Sequence, residues 1–195
     1  MPPKAKFTKD EIIETALAIV KERGIDALTA RSLGEELGSS ARPIFTVFQG
    51  MDEVQEEVRK AARNLYDSYV AKALSEDRPY EQAFKSVGAQ YILFACTEPK
   101  LFQLLFMEEK DTPPDFAGVL PMIDGNYELI LESVRDSYKL DNESALKLYK
   151  HLWVYTHGIA SLCATGMCGF TGEEISEMIT EVFTALLAKY KVEKK

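Results

Sequence analysis

The sequence predicts an all-α fold of about nine helices, divided into a small N-terminal three-helix domain over residues 1–51 and a larger helical domain over residues 52–195. Apolar residues recur at helical spacing along almost the whole chain, and the alternation that marks strands is missing. Capping residues precede the helical segments, and Gly or Pro residues end them. The length of 195 residues is long for one small domain and short for two ordinary ones.

The composition is that of a globular protein with a substantial core, since 46% of the residues are hydrophobic and 28% are charged. No apolar run reaches the roughly 18 residues of a membrane span, so no membrane partner is expected. The start, MPPKAKFTKDE, lacks the apolar region of a signal peptide, and a cytoplasmic location is therefore expected. The cysteines Cys96, Cys163 and Cys168 contain no CxxC pair, which indicates buried free thiols rather than disulfides or a zinc site.

The first helix is expected from about Thr8 to Arg23. Thr8 is a suitable N-cap, Glu11 completes a capping box three residues later, and Gly24 ends the helix. The face expected to be buried carries Ile13, Ala16, Leu17 and Val20.

A second helix is expected between the N-cap Thr29 and Gly38, and a third helix after Ser39 and Ser40. Pro43 falls in the first turn of the third helix, where its missing N–H costs little. The residues expected to face inward are Leu33, Leu37, Ile44 and Phe48.

Six further helices are expected in the larger domain, at about residues 52–74, 79–98, 99–110, 119–138, 141–167 and 173–190. The loop at 111–118 is the clearest interruption, because two prolines and two aspartates cannot continue a helix. The helix at 52–74 is expected to bury Val54, Val58, Ala61, Leu65 and Tyr69.

Two short helices around a glycine-containing turn, each held by inward apolar residues, have the layout of a helix-turn-helix. The side chains that this layout leaves outward on the third helix and its first turn are Ser39, Ser40, Ala41, Arg42, Pro43 and Thr46. Hydroxyl groups and a guanidinium suit phosphates and base edges in the major groove, and Arg31 of the second helix projects to the same side. Double-stranded DNA is therefore the expected partner, although an ordinary three-helix corner gives a similar pattern.

The charge distribution restricts where DNA can bind. The whole chain has a net charge of -8, whereas residues 1–50 hold seven Lys or Arg and seven Asp or Glu. The neutral N-terminal end is the only face that suits a polyanion, and the acidic remainder would repel it.

Residues 8–58 resemble the tetracycline-repressor-like (TetR/AcrR) family of transcription regulators. The segments ALAIVKERG, TARSLGEELGSS and IFTVFQGMDEV fill the parts of the family's N-terminal pattern in order and at its spacing. The segment WVYTHG is like one in many C-terminal domains of the family. The resemblance implies a homodimer whose N-terminal domains reach successive major grooves and whose C-terminal domains bind a small molecule and form the dimer.

The resemblance also implies which residues contact DNA. Contacts to phosphate or to bases are implied for Thr29, Ala30, Arg31, Ala41, Arg42 and Pro43. Two positions depart from the family pattern: Phe45 stands where a Tyr hydroxyl usually reaches phosphate, and Met51 stands where a Lys is usual. We therefore expect weaker DNA binding, or binding that depends more on the two arginines and the N-terminal lysines.

The larger domain is rich in aromatic residues and methionines, which suit an apolar cavity between helices even though single aromatic residues are more often core. The expected ligand-binding residues are Tyr91, Phe94, Phe102, Phe106, Met122, Tyr127, Trp153 and His157. A small, mostly apolar effector is expected, with a polar contact from His157, Tyr91 or Tyr127. No cofactor, metal site or catalytic residue is expected.

Apolar residues cover more than one face of the last helix. One amphipathic stripe would need only half of them, so the excess indicates a second buried surface. The residues expected at a symmetric dimer contact are Ile175, Met178, Ile179, Val182, Phe183 and Leu186. A homodimer also suits a palindromic operator, because one rigid body then spans both half-sites.

Together these features predict a ligand-responsive transcriptional regulator, and a repressor in particular, in which the effector shifts the helix at 52–74 and changes the separation of the DNA-binding elements. A helical ligand-binding or interaction module with weakened or lost DNA binding is the alternative. An enzyme is disfavoured, because His151 and His157 lie on different helix faces and no HExxH motif or paired carboxylates occur.

Overall fold

The structure is a computed structural model that describes residues 6–74, 80–123, 125 and 127–192, with the side chains of 80–84, 121–123 and 192 excluded. Within these residues the fold is all-α, as predicted, with no strand. The helices are α1 (Lys9–Arg23), α2 (Ala30–Glu36), α3 (Met51–Ala73), α4 (Tyr80–Thr97), α5 (Pro99–Phe106), α6 (Phe116–Ile123), α7 (Tyr127–Tyr138), α8 (Asn142–Ala164) and α9 (Gly172–Val192). Two short 3-10 turns span Ile25–Ala27 and Ile44–Thr46. None of the described helices is both long and apolar enough to cross a lipid bilayer.

The helix starts confirm the predicted caps. In the capping box of α1, the Glu11 N–H donates to Thr8 Oγ1 at 3.2 Å and the Thr8 N–H donates to Glu11 Oε2 at 2.7 Å. Thr29 caps α2 by accepting from the Ser32 N–H at 3.1 Å. Asp141 caps α8 in the same way.

Two predicted helical faces are confirmed in part, because Ala16, Val20, Val54 and Val58 are buried. The other predicted residues are only half-buried: Ile13, Leu17, Ala61, Leu65 and Tyr69. The buried residues of α1 are Ile12, Ala16, Ile19 and Val20. The buried residues of α3 are Val54, Val58, Ala62, Tyr66, Val70 and Ala73. Both helices carry apolar residues over a wide arc, so the spacing alone does not decide which edge of the arc packs inward.

The predicted helix at 119–138 is two helices, α6 and α7. The sequence between them, DGN, contains the residue types that favour turns over helix interiors. Gly125 lies in this turn.

The chain divides into two compact units. The first unit comprises Met1–Ser68 with Glu98–Glu108, and the second comprises Tyr69–Thr97 with Glu109–Lys195. This division differs from the sequence boundary after residue 51, because most of α3 and all of α5 pack with the N-terminal helices.

The core of the first unit lies between α1, α3 and α5. Leu101 and Phe102 of α5 are fully buried, and α5 packs on α1. Tyr66 of α3 meets Phe106 edge to face, with ring centroids 5.0 Å apart.

In the second unit, α4 packs on α7 and α8, and α8 packs on α9. A core cluster joins the last three helices through Val134, Leu140, Ala145, Leu148, Leu152, Phe183 and Tyr190.

Candidate functional site

The first unit presents a polar surface from residue 29 to residue 46 on an apolar framework. Leu33, Ile44 and Phe48 are at most 2% exposed and fix this segment from below, while Leu37 is half-buried. The predicted DNA-contact residues Thr29, Arg31, Ser40, Arg42, Phe45 and Thr46 are exposed, and Ala30, Ser39, Ala41 and Pro43 are half-buried.

The predicted third helix is not an α-helix. Its backbone hydrogen bonds, from Ile44 N to Ala41 O and from Thr46 N to Pro43 O at 3.1 Å each, have the three-residue spacing of a 3-10 turn. Pro43 supplies no N–H and disfavours the helical conformation at Arg42. The Thr46 hydroxyl also donates to the Pro43 carbonyl at 2.6 Å, which favours a local turn. The segment thus presents a tight turn rather than a long recognition helix.

Gly34 of α2 sets the distance between α2 and this turn. A Cβ atom at this position would lie 2.9 Å from both Ala41 N and Ser40 C, which is shorter than van der Waals contact. The Ser39 N–H donates to the Gly34 carbonyl at 2.8 Å. The turn therefore packs directly on the α2 backbone. Gly34 was not among the predicted site residues, although a glycine inside a short helix indicates a packing role.

The two arginines of this surface are in different electrostatic states. Arg31 Nε donates to Glu35 Oε1 at 2.9 Å, and this hydrogen bond, with the charge of Glu35, raises the pKa of Arg31. Arg42 is exposed and forms no ion pair among the described residues. Lys6 reaches the same surface, where its Nζ donates to Ser39 Oγ at 2.9 Å. Arg42 is thus already available to an anion, whereas Arg31 must first leave a weak exposed pair.

In the second unit, α4 and α8 bring together three of the predicted ligand-binding residues. The Tyr91 hydroxyl lies 2.8 Å from His157 Nδ1. The Trp153 and His157 rings stack, with centroids 5.1 Å apart and planes 17° apart. Phe116 of α6 meets the Trp153 ring edge to face at 5.6 Å. Burial lowers the pKa of His157, because an apolar environment disfavours the charged imidazolium.

One polar atom of this cluster has no hydrogen bond. Trp153 Nε1 is buried and has no partner among the described residues. A buried N–H without a hydrogen bond lowers stability. A ligand atom that accepts a hydrogen bond from this N–H would remove that cost.

The other predicted ligand-binding residues lie elsewhere. Phe94 is fully buried in the second unit against Tyr69, at 5.3 Å between centroids. Phe102 and Phe106 belong to the first unit, where their rings contact each other at 5.2 Å. The Met122 side chain lies outside the described residues.

Tyr127 lines a separate surface pocket of about 340 Å³ between α7 and the start of α8. Its hydroxyl donates to Glu128 Oε1 at 3.1 Å. Arg135 and Asn142 also line this pocket.

The predicted dimer residues of α9 fall into two groups. Phe183 is buried within the single chain, with its ring 5.1 Å from that of Tyr138. The others, Ile175, Met178, Ile179, Val182 and Leu186, are half-buried. On α8, five exposed residues recur at helical spacing and form a stripe: Lys147, His151, Val154, Gly158 and Leu162.

The prediction that the three cysteines are buried was wrong. Cys96 and Cys168 are exposed and Cys163 is half-buried. In the part of the chain that the structure describes, no group of three or more His, Cys, Asp or Glu is placed to hold a metal ion.

Comparison with known proteins matches the chain to a family model and to solved structures. Residues 84–190 match the family model described as tetracycline repressor-like, C-terminal domain. The fold is similar to the solved structure of a protein described as a TetR-family transcriptional regulator from Vibrio parahaemolyticus, with a TM-score of 0.61, 18% identity, and coverage of 90% of this chain and 96% of that chain. No curated protein matches the chain. Because the family model covers more than half of the sequence, this protein belongs to the tetracycline-repressor-like (TetR) family of transcriptional regulators.

Proposed function

We propose that this protein is a ligand-responsive repressor that binds a palindromic operator in double-stranded DNA as a homodimer and is released by a small, mostly apolar effector. The observation that carries the proposal is the exposed polar surface at residues 29–46, fixed from below by buried Leu33, Ile44 and Phe48. Hydroxyls and guanidinium groups on a rigid framework suit phosphates and base edges.

Arg42 is the residue that we assign to base contact. It is exposed, it forms no ion pair among the described residues, and it stands on the turn that packs against Gly34. Thr29 and Ser40, which are both exposed, are assigned to phosphates. Arg31 contributes once its pair with Glu35 opens.

The homodimer is assigned to α8 and α9. Val154 is 53% exposed and Leu162 is 36% exposed on the α8 stripe, and a Cβ on Gly158 would meet nothing within 4 Å. Two exposed apolar side chains on one face of a helix, with no side chain at the glycine between them, suit a contact between proteins. A two-fold axis along this stripe would bury it together with the half-buried residues of α9.

The effector is assigned to the cluster of Tyr91, Trp153 and His157. Three aromatic rings suit an apolar ligand, and the buried Trp153 N–H would be satisfied by a ligand that carries a hydrogen-bond acceptor. An effector that binds one arrangement of the helices better than the other lowers DNA affinity by the ratio of its two affinities. The proposal assigns binding and no catalysis to the protein.

The test is DNA binding by Arg42→Ala, with Arg135→Ala as the control. Arg135 is half-buried on α7 in the second unit and pairs with Glu132 and Asp136. On a duplex selected from a random library, we expect fluorescence anisotropy to give a loss of about 1–3 kcal/mol for Arg42→Ala. The control should bind like wild type. Unchanged selectivity in Arg42→Ala would remove Arg42 from the base-contact set.

A second candidate function is a ligand-binding module whose DNA binding is weak or lost. Phe45 is 45% exposed at the position of the family's phosphate-binding Tyr, and this favours the candidate. Retention on mixed duplex DNA at low salt distinguishes the two functions, because phosphate contacts make binding strongly salt-dependent. No retention would favour the module.

A further inference from the structure

Two cysteines that are distant in the sequence stand on the two most closely associated helices of the second unit. Cys96 is on α4 and Cys163 is on α8. The register of these helices follows from two other contacts. A Cβ on Gly88 would lie 3.8 Å from Thr156 Cγ2, and the Tyr91 hydroxyl lies 2.8 Å from His157 Nδ1.

The register places the two cysteines at the same level. Gly88 and Thr156 are 68 positions apart, and Tyr91 and His157 are 66 apart. The helices therefore run in the same direction with a nearly constant offset. Cys96 and Cys163, at 67 positions, fall on the same offset about two turns further along.

Small residues let the two helices approach closely at this level. Ala95 and Ala160 are fully buried, and Ala164 is 5% exposed. The thiols lie at the edge of this contact, because Cys96 is exposed and Cys163 is half-buried. A disulfide needs Cβ atoms about 3.5–4.5 Å apart, which such a close packing of helices favours.

The electrostatics of Cys96 agree with this placement. Its pKa is raised to about 11, first by partial burial and then by the hydrogen bond and charge interaction with the Cys163 thiol. Each thiol is therefore part of the other's immediate surroundings, while Cys168 is exposed beyond the end of α8.

We propose that Cys96 and Cys163 form a reversible redox pair, which hydrogen peroxide converts into an intramolecular disulfide between α4 and α8. The Cys163 sulfur attacks a peroxide oxygen, the O–O bond breaks, and a sulfenic acid and one water form. Cys96 is not the first to attack, because its raised pKa keeps it as a thiol, whereas the thiolate is the reactive form. The second sulfur then attacks the sulfenic sulfur, the S–S bond forms, and a second water leaves. Two thiols and one hydrogen peroxide thus give one disulfide and two waters, and an added dithiol reverses the reaction.

The disulfide would act on the helices that carry Tyr91 and His157. Cys96 is five residues beyond Tyr91, and Cys163 is six beyond His157, which is about 8–9 Å along each helix. The bond would fix the spacing of α4 and α8 near that cluster and would close a long loop in the unfolded chain. The oxidised protein should therefore unfold at a higher temperature than the reduced one.

The experiment uses the full-length protein, fully reduced, freed of reductant and treated with one equivalent of hydrogen peroxide. We expect the intact mass to fall by two hydrogen atoms and peptide mapping without reductant to give one linked pair containing Cys96 and Cys163. Cys168→Ser, at an exposed site, is the control and should form the same link. Cys96→Ser, also at an exposed site, should lose it.

Other products would overturn the proposal. Links that involve Cys168, links between two chains only, or separate oxidation of each cysteine to higher acids would each mean that the two thiols do not act as a pair. Because the mapping is done on the unaltered chain, the outcome does not depend on whether a variant folds. It is also independent of DNA binding, so it can succeed or fail separately from the proposed repressor function.

Discussion

Replacing Gly34 by alanine should displace the turn that we propose for DNA contact, although Gly34 is not itself among the proposed contact residues. The added Cβ would lie 2.9 Å from Ala41 N and from Ser40 C. Both are backbone atoms, so no side chain can rotate away to relieve the contact. The turn that carries Arg42 must move instead.

The loss of stability caused by the close contact at Gly34 can be isolated by comparison with Gly88→Ala. Both glycines lie inside helices, so each alanine gains about 0.5–1 kcal/mol of helix propensity. At Gly88 the new Cβ would make an ordinary contact of 3.8 Å with Thr156. The helix contribution cancels between the two variants, which leaves the cost of forcing an atom into a closely packed site, about 1–3 kcal/mol.

Thermal unfolding followed by far-UV circular dichroism measures this difference. For a chain of this length, each kcal/mol corresponds to about 2–4 °C in the unfolding midpoint. Trp153 is the only tryptophan and lies in the second unit, so its fluorescence reports that unit separately. We expect Gly34→Ala to be less stable than Gly88→Ala and to bind DNA more weakly. A Gly34→Ala protein as stable as Gly88→Ala would refute the close approach of α2 and the turn.

Three further outcomes follow from particular side chains. Val154→Glu should convert a dimer into monomers, as measured by light scattering. The control Leu129→Glu, at an apolar residue of α7 that is 61% exposed, should leave the dimer intact. Equal behaviour of the two variants would argue against a dimer contact at the α8 stripe. The pKa of His157 is lowered by burial, so as the pH falls through about 6.5 the unfolded chain takes up a proton that the folded chain does not. Stability should therefore fall as the pH falls below about 6.5, and His157→Asn should reduce this slope. Phe45→Tyr should tighten DNA binding by about 0.5–1.5 kcal/mol, measured by anisotropy, and no change would mean that this ring does not face phosphate.

Caps and helix existence could be predicted from the sequence because they depend on neighbouring residues. Thr8, Thr29 and Asp141 each accept from a backbone N–H three residues later. This geometry is local, so a short pattern is sufficient to predict it.

The buried faces of α1 and α3 could not be predicted to the residue. Ile12 and Ile13 are adjacent and equally apolar, and only the packing of α1 on its neighbours decides that Ile12 is buried. The prediction of a third α-helix was wrong for a related reason. Its apolar spacing is correct, since Ile44 and Phe48 are buried, but Pro43 and Thr46 favour a turn that spacing does not report.

The ligand-binding prediction was limited by the same lack of three-dimensional information. Helical spacing places Trp153 and His157 on one face of α8, and the structure adds Tyr91 of α4 across from them. Composition alone did not separate these residues from Phe102 and Phe106, which belong to the first unit. The nearness of Cys96 to Cys163 also requires the register between two helices, which the sequence does not contain.

The central claim is that the surface at residues 29–46 recognises DNA in a homodimer. Binding-site selection with the full-length protein on random duplex DNA tests it most directly. We predict enrichment of an inverted repeat whose half-sites lie about one helical turn, roughly 34 Å, apart or a multiple of it. A selection that enriches no sequence, together with no retention of duplex DNA at low salt, would contradict the claim.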